Sequence, residues 1–456
     1  MRVGRFPDSL KIAKIIPIHK RGDARYPSNY RPISLLPYLS KVFEKIIHIR
    51  LTNYLNFNNI LSPHQFGFRK QISTLDAITN FTELIYQSLN NKNSILNVLV
   101  DYSKAFDTVN HSILLKKLYR YGVRGKPLQL IASYLQDRQQ FVSIRNFKSK
   151  TFVTNISVPQ GSVLGPLLFL IYVNEIPNLS QYFVPTMFAD DCTLSFTSNS
   201  VDVLISECNS DLATFKAWSD ANRLTINIDK TNCLFISNVA SSAPTGSILL
   251  NNHELDFVPE SRFLGVLIDQ NLRFDKHINY VCGKISKCIG ILFRIRPLLP
   301  EACLRNLYFS LIHPYILYCL PVFGASYSTH LEPLRILQKR AVRLISNAAF
   351  LDHTDPLFFN NKILKLDDQY KLSIGCFAFK NPNLIATHVR PHSHFTRNRE
   401  IPLPPFERLR STQQSVIFNV VKVWNDVPES IKQCRSLHSF KFKFKELLLS
   451  RYLSVS

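Results

Sequence analysis

Apolar and polar positions change rhythm several times along this chain. Residues 10–20 (LKIAKIIPIHK) alternate like a half-buried strand, and 95–100 (ILNVLV) form an apolar run of strand length. Between them, 38–56 and 73–90 carry apolar residues at helical spacing, with Ser40 placed to cap the first. Helical spacing returns at 111–122, 127–137 and 201–222, and strand rhythm at 139–145. A strongly apolar helix is expected from about Leu164, just after a Pro159-Gln160-Gly161 turn whose backbone can approach a ligand closely. Residues 225–237 predict a strand carrying Lys230, and 246–269 predict two more, the second being SRFLGVLID. From about residue 275 long helical patterns dominate. Residues 378–412, rich in Pro, His and Arg, read as loop or linker before helical periodicity resumes at 413–453.

The segment that organises the rest is 184–196, VPTMFADDCTLSF. It sets two adjacent carboxylates, Asp190 and Asp191, in a mostly apolar run. Burying neighbouring ionised carboxylates without partners is prohibitively costly, so the pair belongs at a wet turn between two short strands. Carboxylates in that position suit Mg²⁺, which takes one or two of them and leaves its other sites to water and phosphate. Taken alone, the dipeptide reads more readily as a solvated turn. Asp101, ending the apolar run 95–100, is a third carboxylate able to meet the pair, whereas Asp107 reads as the cap of the next helix. Lys20 and Arg31 lie on neighbouring strands and could hold a triphosphate, Arg through bidentate contacts; a solvated basic loop is the local alternative. Gly67, between two Phe and followed by Arg69, suggests close backbone approach to a template strand.

Composition narrows the classes. The chain has 456 residues, 46% hydrophobic and 19% charged, a globular balance with room for two or more domains. Its formal charge of +23 implies a polyanionic partner, and the spread of aromatic residues favours nucleic acid. Nine cysteines without a C-x-x-C pair argue for reduced thiols and against a zinc site. The N-terminal residues lack the apolar core of a signal peptide, and the longest apolar run, 163–173, is too short to span a bilayer. A soluble intracellular protein is therefore expected. A nuclear location is possible, although no compact basic import signal stands out.

Seven motifs occur together: PIHKRGD with NYRPISLLP, QFGFR, VDYSKAFDTVNH, SVPQGSVLGPLLFLIYVNEIP, FADD, NRLTIN-x-DKT and FLGVLID. In this order, over residues 10–270, the sequence resembles the reverse transcriptases of non-LTR (LINE-type) retrotransposons, most like the jockey-like elements. The resemblance implies an α+β right-hand polymerase. Its parts would be fingers over 1–95, a ferredoxin-like palm over 96–270, a helical thumb over 271–350 and a mostly helical C-terminal region over 351–456.

It further implies RNA-directed DNA synthesis from an RNA template, a DNA primer and dNTPs. Asp101, Asp190 and Asp191 would hold two Mg²⁺ ions, with Mn²⁺ as a substitute. Lys20 and Arg31 match the positions holding the triphosphate, and Lys230 matches the palm lysine that protonates pyrophosphate. Phe106 would exclude a 2′-hydroxyl, core packing being its plainer role, and Gln160 and Gly161 would contact the template–nucleotide pair. The FLGVLID strand would form the primer grip.

Ser157 stands where the family usually has Gly. The absence of a preceding endonuclease and a following zinc knuckle suggests an N-terminally truncated copy. An inactive nucleic-acid-binding remnant is thus the alternative from another class. An RNA-dependent RNA polymerase is disfavoured by Phe106 and by FADD in place of G-D-D.

Overall fold

The computed structural model describes residues 4–20, 22–238, 244, 246–386, 402–405 and 407–453. Chain contacts divide it into two compact units. The first takes residues 1–77, 94–235 and 240–258; the second takes 78–93, 236–239 and 259–456.

In the first unit, β1 (Ile12–His19) and β2 (Tyr30–Leu35) form a hairpin, followed by the long helix α1 (Tyr38–Phe57). Helix α2 (Thr74–Asn90) begins in this unit and continues in the second. Next come β3 (Ser94–Val100), α3 (His111–Arg120), α4 (Gly125–Leu135), β4 (Arg138–Ile144), β5 (Phe147–Lys148) and β6 (Phe152–Thr154). Strand β4 runs parallel to β1 and antiparallel to β6, so one five-stranded sheet draws on residues either side of 95. Residues expected in separate fingers and palm segments therefore share a sheet.

Helix α5 (Gly165–Val173) precedes the hairpin of β7 (Phe183–Phe188) and β8 (Asp191–Ser198), then α6 (Val201–Ala221) and β9 (Asn232–Ile236). The order β7-β8-β3-β9 with helices in both crossovers is the ferredoxin-like arrangement expected. Every residue of β3 is buried, and α5 is buried on nearly its whole circumference, which is why both read as continuous apolar runs. Two short strands, β10 (Leu249–Leu250) and β11 (His253–Glu254), complete the unit.

Helix α1 carries an anomaly on its buried stripe, Ser40, Glu44, Ile47, Leu51 and Leu55. Glu44 is fully buried. One oxygen accepts from the Ser40 hydroxyl at 2.9 Å, and the other from the backbone N–H groups of Val163 (2.7 Å) and Leu164 (3.3 Å). A carboxylate of α1 thus satisfies amides at the start of α5, where unpaired N–H groups and the helix dipole favour negative charge. Ser40 is not the cap of α1, which starts after Pro37; it serves Glu44 instead.

The second unit holds β12 (Glu260–Phe263) and β13 (Val266–Asp269). SRFLGVLID is therefore a hairpin and not the single strand expected, turning at Leu264 (φ 45°) and Gly265 (φ 87°). Helices follow: α7 (Asp275–Ile295), α8 (Glu301–Leu307), α9 (His313–Leu317), α10 (Leu320–Phe323), α11 (Ser328–Ile345), α12 (Asp355–Asn360) and α13 (Leu366–Lys380). A five-residue π-helical turn, Tyr308–Ile312, joins α8 to α9. Helix α14 (Pro382–Ala386) interrupts the stretch expected to be linker, of which 387–401 and Phe406 lie outside the described residues. Helices α15 (Val416–Asn425), α16 (Glu429–Lys432) and α17 (Leu437–Ser450) end the chain. The later part of α2 packs here: Phe81 lies 5.1 Å from Phe263 between ring centroids, and Glu83 accepts from the Ile417 N–H at 2.9 Å. No described helix is long and apolar enough to cross a membrane.

Candidate active site

Register fixes the site. Strand β3 pairs antiparallel with β8 up to Val100 opposite Cys192, so Asp101, one step further, stands across from Asp191. Strands β7 and β8 close at Phe188 opposite Asp191, leaving Ala189 and Asp190 as a two-residue turn with Ala189 at φ 59°. The three acids therefore gather at one end of the sheet, with Asp190 and Asp191 exposed and Asp101 partly so.

Partial burial, then the charge of Asp101, raises the pKa of Asp190, while the positive charges of Arg31 and Lys20 act in the opposite sense. Burial, then Asp190 and Asp101, pushes Asp191 up to about 6. Three like charges compressed in this way favour a cation among them. Among the described residues no three His, Cys, Asp or Glu side chains form a ready metal cage. Asp101 Oδ2 instead lies 3.4 Å from Lys230 Nζ. The donor set is nevertheless hard oxygen, and Mg²⁺ needs only one or two carboxylates beside substrate phosphates.

Lys230 reaches Asp101 because residues 225–231 run beside the end of β3. Ser103 N–H donates to Thr225 O at 2.8 Å and Asn227 N–H to Asp101 O at 2.7 Å. It sits in a 3₁₀ turn, Ile228–Lys230, ahead of β9 and not within a strand as expected. Phe106 is partly buried, stacked on Phe169 of α5 at 4.6 Å and edge-on to Phe68 at 6.4 Å.

The Pro159-Gln160-Gly161 turn is tied to β2. Ser34 N–H donates to Gln160 O at 2.7 Å, and Gly161 has φ 110° with Ser34 O only 2.8 Å from where a Cβ would stand. The glycine thus admits a strand of the same chain, not directly a ligand. The Gln160 amide donates to Asp107 Oδ1 at 2.9 Å, while Asn110 caps α3, so Asp107 is not the helix cap expected. A cavity of about 340 Å³ adjoins the turn, lined among others by Ala13, Ile15, Arg138, Gln140 and Gln160. Arg138 is 3% exposed and its Nη2 has no hydrogen-bond partner.

Ser157, in the position expected to hold glycine, adopts φ 83°. Its N–H donates to Val109 O at 2.9 Å, and the His111 imidazole donates to its carbonyl at 2.7 Å, so the conformation is held from both sides. A side chain at positive φ costs roughly 1–2 kcal/mol, partly offset by glycine's greater freedom when unfolded. Ser157→Gly should raise unfolding free energy by about 1 kcal/mol. Equal or lower stability in urea titration would refute this account of the turn.

Arg69 and Gly67 serve the protein differently from expectation. Arg69 Nη1 donates to Ser62 O at 2.9 Å and Gln65 O at 3.2 Å, clamping its own loop. Residues 64–66 run along the outer edge of β7: Phe66 N–H donates to Met187 O at 2.8 Å and Met187 N–H to His64 O at 3.0 Å. Gln65 Oε1 then accepts from Gly67 N–H (2.9 Å) and from Ala189 N–H in the Asp-bearing turn (3.1 Å). A Cβ on Gly67 would stand 2.5 Å from the Ala189 nitrogen, so its close approach is to the turn itself. Sequence reasoning passed over Gln65. Its neighbours in sequence, His64 and Phe66, give no sign of the Ala189 amide it serves.

The raised Asp191 has a consequence for stability. A carboxyl whose folded pKa exceeds its unfolded value binds its proton more tightly when folded. Its contribution is complete below about pH 4 and is lost as pH rises through about 6. Asp191→Asn should therefore be more stable than the parent at pH 7.5 without metal, and lose that advantage at pH 4. Melting curves at the two pH values test this, and an advantage independent of pH would contradict it.

Residues 18–268 match the family model described as reverse transcriptase (RNA-dependent DNA polymerase). The chain is 31% identical to the RNA-directed DNA polymerase from mobile element jockey of Drosophila melanogaster, over 80% of this chain and 41% of the relative. It is 29% identical to the probable RNA-directed DNA polymerase from transposon BS of the same organism, over 90% of this chain and 46% of the relative. The chain thus spans less than half the length of these curated relatives. Among solved structures it is similar to apo telomerase from Candida Tropicalis, with a TM-score of 0.44 and 12% identity over 91% of this chain and 69% of that one.

Proposed function

The chain belongs to the reverse transcriptase family, and from that premise we propose that it is an RNA-directed DNA polymerase of the jockey-like, non-LTR retrotransposon type. The observation that carries the reading is the register placing Asp101 across from Asp191, beside the Asp190 turn, with Lys20, Arg31 and Lys230 acting on the same acids. Its substrates would be an RNA template, a DNA primer and dNTPs. The β1–β2 hairpin belongs to the fingers, the four-stranded sheet is the palm, and 271–350 form the thumb.

Asp101, Asp190 and Asp191 would hold divalent cations, two Mg²⁺ by donor chemistry, which supply charge neutralisation and Lewis acidity at the phosphates. The residues of the chain do the rest. Lys20 and Arg31, whose charges are felt at Asp190, bind the triphosphate and compensate charge that the acids cannot. As the primer 3′-hydroxyl gives its proton to water and its oxygen bonds to the α-phosphorus, the bond to pyrophosphate breaks and Lys230 gives its own proton to the leaving oxygen. Phe106, backed by Phe169, presents a rigid wall where a 2′-hydroxyl would fall. Gln160, held by Asp107, bears on the templating pair, and Gln65 fixes the turn that carries Asp190.

Primer extension on an RNA template with Mg²⁺ tests the proposal. Incorporation of dNTPs in preference to rNTPs supports it. RNA binding by the folded chain with no extension would favour an inactive binding remnant.

A further inference from the structure

The second unit contains a cluster of four cations in which Glu446 is the one acid acting on Lys445. Arg305 of α8 and Lys445 of α17 both approach Phe309, at 5.1 and 6.0 Å from its ring centroid. Arg305 is fixed by donating its Nε–H to Asn361 O at 2.8 Å, and Lys362 follows at φ 52°. Lys441 lies one helical turn before Lys445 on α17. Among the described residues none of these four cations has an ion-pair partner, whereas Arg335, Lys365, Lys371 and Lys432 elsewhere in the unit do. Burial, then Arg305, lowers the pKa of Lys445; Glu446 opposes the shift, and Lys441 and Lys362 add to it.

Two further features lie at the same place. Phe309 is carried by the π-helical turn Tyr308–Ile312, a rare geometry that recurs at functional positions. It forms where Pro314 offers no N–H to the preceding turn. His313 packs edge-on to Phe309 at 5.1 Å, and its Nδ1 is buried with no hydrogen-bond partner.

We infer that Arg305, Lys362, Lys441 and Lys445, arranged about Phe309, form a second nucleic-acid site that takes a single-stranded RNA segment. Its phosphates lie on the cations and a base lies against the Phe309 ring. The combination of a cationic track with a partly open aromatic ring suits a strand whose bases are free to stack; a paired duplex presents phosphates alone. His313 packs edge-on against the same ring and holds it in place. The site extends the polymerase reading by a contact outside the first unit, so template could be retained through it independently of the primer end.

The test is fluorescence anisotropy of the full chain with a short fluorescein-labelled single-stranded RNA, without primer or dNTPs, across a salt series. Binding is read without extension, and the variants assign the part of it that belongs to this site. Lys441→Gln/Lys445→Gln should weaken binding about tenfold and flatten the log–log salt slope by about 1.4, the loss of two single-strand phosphate contacts. Phe309→Leu should weaken binding with no change in slope. A 4-thiouridine RNA should crosslink to peptides containing Phe309 or residues 441–445, an outcome read on the parent and independent of any variant's folding. Unchanged affinity and slope in a variant of parental circular dichroism, or crosslinks confined to other peptides, would overturn the site. Equal displacement of the RNA by polyglutamate would reassign it to an acidic protein. Primer extension on a short primer–template should survive in the Lys variant.

Discussion

Asp190→Ala is expected to lower primer extension by at least about 10³-fold, since a lost metal carboxylate removes several kcal/mol of transition-state stabilisation and each 1.36 kcal/mol is tenfold in rate. Asp190 occupies the two-residue turn between β7 and β8, where the charge of Asp101 raises its pKa and those of Arg31 and Lys20 act against that rise. Its removal leaves these cations unopposed, so dNTP affinity should hold or improve while the chemical step fails. Asp190→Asn keeps the shape of the turn and should fail to the same degree, which separates charge from packing. Asp202→Ala, at an exposed position on α6, should extend primers like the parent. Parental extension by Asp190→Ala would remove the basis for the site.

The second large effect is on stability. Glu44→Ala should destabilise the first unit by about 3 kcal/mol, because buried donors left without a charged acceptor cost roughly 1–3 kcal/mol each. The donors are the Ser40 hydroxyl and the N–H groups of Val163 and Leu164. Glu44→Gln retains one oxygen for the two amides and should cost about 1 kcal/mol. The chain has two tryptophans, Trp218 in the first unit and Trp424 in the second, so unfolding followed by fluorescence in a Trp424→Phe background reads the first unit alone. A loss confined to a few tenths of a kcal/mol would mean that water replaces Glu44, contrary to its complete burial. Residues 163 and 164 lie one residue beyond the Pro159-Gln160-Gly161 turn, so Glu44→Ala should also raise KM for the template.

Elements whose signal is local were legible in the sequence. The apolar run 95–100, the Asp-bearing hairpin and the helices over 38–57, 74–90 and 201–221 declare themselves by rhythm, because one buried face repeats with the period of the element. SRFLGVLID was misread for a related reason. Leucine rarely enters the left-handed region, so Leu264 conceals a turn inside an unbroken apolar run. The acids and Lys230 were legible as residue types, and the register brings them together. Gln65 and Glu44 were not, since each acts on amides more than a hundred positions away and nothing in its own neighbourhood announces the partner. Asp107 looked like a cap because capping is the usual work of an acid before a helix. Asn110, nearer the helix, does that work and leaves Asp107 to Gln160.

The passage of α2 from one unit into the other bears on how the protein is made. Ile78, Phe81, Ile85, Tyr86 and Leu89 are each at most 3% exposed, and the partners of this stretch, such as Phe263 and Ile417, come much later in the chain. At roughly 5–20 residues per second, a ribosome that has finished α2 needs about 10–30 s to deliver even the first of them. Through that interval the apolar face of α2 lacks the partners that cover it in the folded protein, so this helix closes into its unit late in synthesis.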